Sequence, residues 1–169
     1  METIQNKVAE SGIQVVDLEH FLPKKPVSGV DLASFLDGGF LLREKPFRSQ
    51  LKAQDWSSFE NHHVGIHCST DAIIPPWAFM LTASYLTGVA ASVSMGTVAQ
   101  VRESLMLLSI EQHSWQPFMD RIVVLKGCGS DHVTPAAYIK ATVALQQVAR
   151  KLMYGEPCSS VPVWRAPKP

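Results

Sequence analysis

What most constrains this chain is an alternation of short apolar strands with helices, running from His63 nearly to the end. HVGIH at 63–67 predicts a strand, and Pro75 opens a helix from Trp77 to about Val89. Residues 91–95 predict the next strand. A helix follows from Thr97 to about Glu111, with Val98, Val101, Leu105 and Leu108 at helical spacing. RIVVLK at 121–126 predicts a buried strand, and Thr134 is placed to cap a helix from Pro135 to Met153. A β-α-β-α-β-α order builds a parallel sheet through right-handed crossovers. The sequence therefore predicts a small α/β fold, a parallel three-layer sheet beginning at about residue 63. An edge strand at 160–164 would close it, where Pro162 is tolerated.

The N-terminal third reads as irregular α+β. A short helix is predicted at 4–10 and a strand at 13–16, before a loop punctuated by Pro23 and Pro26. Asp31 is placed to cap a helix through Leu36 that Gly38-Gly39 ends. A short strand at 40–42 and a charged helix at 45–54 complete it. At 169 residues one domain, 1–169, is the default, and it can bury roughly 70% of its unfolded surface.

Two turns share an unusual chemistry. HCSTDAIIP at 67–75 and GCGSDHVTP at 127–135 both read C-x-x-D-x-x-x-P, 60 residues apart. Asp and Pro suit any strand-to-helix turn. Cysteine is not a turn residue, so its repetition asks for another reason. If the strands ending at His67 and Lys126 were neighbours, Cys68 and Cys128 would sit about 5 Å apart. They would lie at the carboxyl edge, where open α/β sheets bind ligands. A helix N-terminus nearby would lower each thiol pKa. Cys158 follows Gly155 and Pro157, where the chain turns back toward the same edge. Soft thiolates select zinc or iron. The predicted metal site is Cys68, Cys128 and Cys158, with His67 or His132 as fourth ligand. The competing reading of each cysteine is a small buried hydrophobe. His62 and His63 read as surface residues, and His20 and His113 lie far from any cysteine in sequence.

Charge excludes other classes. Fifteen Lys and Arg balance fifteen Asp and Glu, with no basic block, which argues against nucleic-acid binding and a polybasic membrane anchor. No formal charge lies between Asp71 and Arg102, but Pro75-Pro76, Gly88, Gly96 and several Ser and Thr break that stretch. It reads as a buried helix and a strand rather than a membrane span. Residues 1–12 lack an apolar run, so no secretory signal is predicted and the expected location is cytoplasmic. Three cysteines fit free or metal-bound thiols better than a disulfide scaffold. Nucleophile-elbow, dinucleotide, P-loop, C-x-x-C and H-E-x-x-H motifs are absent. Trp56, Trp77, Trp115 and Trp164 are scattered and read as core anchors.

GGFLLREKPFR, IHCSTDAIIPPWAFM, VVLKGC, TPAAY and KLMYGEPCSSVPV carry a resemblance. In these stretches the chain resembles a bacterial family called domain of unknown function 2480. The resemblance implies no established catalytic residue. It does imply a genomic association with iron–sulfur cluster assembly, and hence assembly proteins as partners. A homodimer is expected separately from the resemblance. The leading expectation is thus a thiol-lined zinc or iron site accessory to iron–sulfur assembly. A cysteine-dependent enzyme or sulfur carrier using Cys68 or Cys128 is the alternative. An interaction protein with packed cysteines is the third.

Overall fold

The computed structural model describes residues 12–167. The small α/β class expected from the sequence is what it shows, and its strands are mostly parallel. They divide into two sheets. In one, β1 (Ile13–Asp17), β5 (Ile122–Lys126) and β6 (Lys151–Tyr154) run parallel, with β7 (Val161–Arg165) antiparallel on β6. In the other, β2 (Val27–Asp31), β3 (His63–His67) and β4 (Ser92–Met95) are all parallel. The described helices are α1 (Glu44–Ala53), α2 (Pro76–Leu86), α3 (Val98–Gln112) and α4 (Pro135–Leu145). The chain forms two compact units, a central one of Pro23–Arg102 and a terminal one of residues 12–22 with 103–167. The division falls within α3.

The two units repeat one design at a spacing of 59 residues. In the central unit Phe47, Leu51 and Trp56 are buried; in the terminal unit Met106, Ile110 and Trp115 hold the matching places. Each indole N–H donates to the carbonyl five residues earlier, Trp56 to Leu51 at 2.9 Å and Trp115 to Ile110 at 3.3 Å. Phe35 stacks on Trp56 and Phe21 on Trp115. Three consecutive buried residues in both β3 and β5 mark strands covered on both faces. Ala78, Thr82 and Leu86 of α2 face the core, as do Ala137, Ala141 and Leu145 of α4. Four-residue spacing puts each trio on one helix face. Asn61 and Asp120 both take positive φ before the strand. Gly96 and Gly155 take positive φ just after β4 and β6, and their N–H groups bond the Ile66 and Leu125 carbonyls.

Several expectations are corrected. Strands 63–67 and 121–126 are not neighbours, because each pairs with a strand from the N-terminal third. That third is ordered rather than irregular, since it supplies β1 to one sheet and β2 to the other. The helix after Asp31 is a single 3-10 turn, Leu32–Phe35, and 40–42 contributes only a bridge from Leu41 to Asp37. The last helix ends at Leu145 instead of Met153, because Lys151–Tyr154 joins β5 as a strand. The edge strand carrying Pro162 is present. The helix expected at 4–10 lies outside the described residues. Among the described residues no helix is long and apolar enough to cross a membrane.

Asp17 and Asp31 end their strands and cap the following turns, accepting from Glu19 N–H and Ala33 N–H at 3.0 Å each. Asp31 also accepts from the Ser69 N–H at 3.0 Å and from its hydroxyl. Partial burial pushes the Asp31 carboxyl up. The bonds from Ser69 and Ala33, with the nearby His67, outweigh this and hold it below the ordinary carboxyl value. A lowered native pKa stabilises the fold above the ordinary carboxyl pKa, and that stabilisation is lost as pH falls through the native value. Asp31→Ala should cost about 1 kcal/mol and flatten the acid limb of the stability curve. Urea midpoints against pH measure both effects.

Candidate functional site

The carboxyl edge of β1-β5-β6 gathers reactive groups within the terminal unit. Asp17 ends β1 opposite Lys126, which ends β5, and Tyr154 ends β6 opposite Leu125. The loop leaving β5 then carries Cys128. Its sulfur lies 3.3 Å from the Tyr154 hydroxyl and 3.9 Å from that of Tyr138 on α4. The two phenol rings pack edge to face at 5.4 Å. Glu19 Oε1 accepts from the Gly129 N–H at 2.9 Å, pinning the loop just past the cysteine.

Electrostatics favour the thiolate here. Hydrogen bonds from Tyr154 and then Tyr138 hold the Cys128 thiol below its ordinary value, against the opposing effects of desolvation and Glu156. The phenols respond in the opposite sense. Burial, then the bond to Cys128, raises Tyr138, and the bond to Cys128 raises Tyr154. Both therefore remain protonated donors at neutral pH. Lys126 Nζ sits 3.4 Å from Asp17 and 4.0 Å from Glu156, and these carboxylates raise its pKa. Its charge offsets Glu156, the carboxylate that works against the thiolate. Glu156→Gln should lower the Cys128 pKa further and speed alkylation below neutral pH. An unchanged rate there would remove Glu156 from the account.

Tyr138 and Tyr154 also line a cavity of about 720 Å³ between α4 and the β6-β7 edge. Its other walls are mainly apolar, including Leu125, Ile139, Val143 and Val163, with Thr142 and Gln146 as polar members.

Of the other expected site residues, Cys68 and His67 belong to the central unit, and His132 and Cys158 to the terminal unit. Cys68 is half-buried against the core of the central unit, with its sulfur 3.4 Å from the Thr70 hydroxyl. His67 has a buried Nδ1 without a hydrogen-bond partner, and a Cβ on Gly29 would approach its ring at 3.2 Å. His132 is exposed, and its N–H donates to Ser130 Oγ at 3.2 Å. Cys158 is exposed in the turn between β6 and β7. All three cysteines are free thiols. Among the described residues, no group of three or more His, Cys, Asp or Glu is arranged to hold a metal ion.

The 60-residue cysteine echo is out of step with the 59-residue structural repeat. His67 matches Lys126 and Pro76 matches Pro135, so Cys68 falls opposite Gly127 and Cys128 opposite Ser69. A Cβ at 127 would lie 3.0 Å from both Tyr138 Oη and Val133 Cγ1, so that place is fitted to glycine. The two thiols are not equivalents. Sequence reasoning passed over both tyrosines. Their counterparts in the other repeat are Phe79 and Met95, so the signal was a polar hydroxyl wherever the repeat has only an apolar side chain.

No curated protein and no solved structure matches the chain. A family model described as "Protein of unknown function (DUF2480)" matches residues 2–166 of the 169. The chain belongs to the DUF2480 family.

Proposed function

We propose that Cys128 is the nucleophile of a cysteine-dependent enzyme, with the Tyr154 and Tyr138 hydroxyls as its hydrogen-bond donors. One observation carries this reading: two phenol hydroxyls converge on one exposed sulfur at a sheet's carboxyl edge. Reactive cysteines combine a lowered pKa with access. Perturbed groups beside a cavity are the usual mark of a functional site. Glu19 and Gly129 steady the loop, and Lys126 balances the local acid charge.

Iodoacetamide alkylation of the folded protein at neutral pH, read by peptide mass spectrometry, tests the reading. Cys158 is the internal control, because it too is exposed. Cys128 should label first, and faster than a free thiol of pKa about 8.5. Equal rates at Cys128 and Cys158 would contradict the assignment. A zinc or iron site on the thiolates instead requires stoichiometric metal in protein purified without an affinity tag, and elemental analysis separates the two readings.

A further inference from the structure

The cavity beside Cys128 narrows the chemistry of what reacts there. Its volume of about 720 Å³ lies within the range of small-molecule sites, roughly 300–1,000 Å³. Its walls are mainly apolar over α4 and the β6-β7 edge, with Thr142 and Gln146 as polar members, and Tyr138 and Tyr154 link this lining to Cys128, which lies outside it. A ligand matching this layout has an apolar tail and a polar, reactive head. Two donors beside the sulfur favour a reaction in which negative charge develops on an oxygen next to it. Alkyl transfer to sulfur develops no such charge. A persulfide has no tail to fill an apolar groove.

Resting on the assignment of Cys128 as nucleophile, we propose that the site takes a medium- or long-chain acyl thioester, with the chain in the groove and the acyl group passing to Cys128. The Cys128 thiolate adds to the thioester carbonyl and forms a carbon–sulfur bond. The carbonyl electron pair moves to oxygen, where the Tyr154 and Tyr138 hydroxyls, released from the sulfur as its charge is consumed, donate to the oxyanion. Collapse of the adduct breaks the donor's carbon–sulfur bond. The departing thiolate takes a proton from water. One thioester replaces another and nothing is oxidised or reduced.

The test uses the full chain with two probes, the decanoyl and acetyl thioesters of N-acetylcysteamine, and follows intact mass and the modified peptide. The expected product is an acyl adduct on Cys128 that neutral hydroxylamine removes. Decanoyl transfer should exceed acetyl transfer about tenfold, the effect of burying only two of the extra methylenes. Val143 lines the groove yet is 59% exposed, so Val143→Lys adds a charge without opening the core. It should bring the ratio of the two rates close to one. A circular-dichroism melt checks that the variant is folded. A second groove variant, Val163→Lys, repeats the test if Val143→Lys does not fold. If iodoacetamide labels Cys128 selectively but neither thioester acylates it, or both do so equally, the acyl proposal falls while the nucleophile assignment stands. If iodoacetamide labelling is unselective as well, both fall.

Discussion

Phe47→Ala should lower the unfolding free energy by about 3–5 kcal/mol. Phe47 is fully buried in the central unit, edge-on to Phe35 at 6.2 Å and to Trp77 at 5.7 Å. Removing the ring deletes its burial and leaves a cavity that its neighbours close only in part. Met106, its counterpart in the terminal unit, is equally buried, and Met106→Ala should cost about 2–5 kcal/mol. Urea unfolding with an unchanged m-value measures each loss. A loss under about 0.5 kcal/mol in both, within the range of surface substitutions, would mean that neither side chain is enclosed.

Gly65→Ala should be nearly as damaging for the opposite reason. A Cβ on Gly65 would stand 2.3 Å from the Gly96 carbonyl oxygen and 2.8 Å from Val101 Cγ2. Overpacking of a core typically costs about 1–3 kcal/mol, and more where neighbours cannot yield. The obstructing atom is backbone, held because the Gly96 N–H bonds the Ile66 carbonyl at 2.9 Å. In the other repeat the matching place is Val124, fully buried with its side chain accommodated. Thermal melts should place both Gly65→Ala, which adds bulk, and Val124→Ala, which removes it, below wild type. Wild-type stability for Gly65→Ala would overturn the close approach of β3 to Gly96.

Local pattern was enough to locate most elements but could not assign their partners. HVGIH and IVVLK read as strands because their central residues are buried on both faces. Which sheet each joins depends on β1 and β2, which lie more than 30 residues before their partners and leave no trace in the periodicity of either strand. The helix from Pro135 was overextended because no Gly or Pro stands between Leu145 and Lys151 to announce its end. The 59-residue repeat is carried in the sequence by Trp56 with Phe59 and Trp115 with Phe118, although the tryptophans alone read as scattered. The two cysteines are 60 residues apart, one more than the structural repeat. Cys128 was legible as a candidate thiol, but its expected cause was a helix N-terminus. The donors that lower its pKa are phenols from α4 and β6, brought together by the β5-β6 pairing and by the packing of Tyr138 on Tyr154.

The central claim is a Cys128 thiolate stabilised by the Tyr154 and Tyr138 hydroxyls. Thiolate ultraviolet absorbance against pH, in protein carrying Cys68→Ser and Cys158→Ser, measures it with a single thiol present. The account predicts one titration below the range of an ordinary free thiol, moving upward in Tyr154→Phe because the largest stabilising bond is lost. A titration at or above the ordinary value, or one that Tyr154→Phe leaves in place, would contradict it.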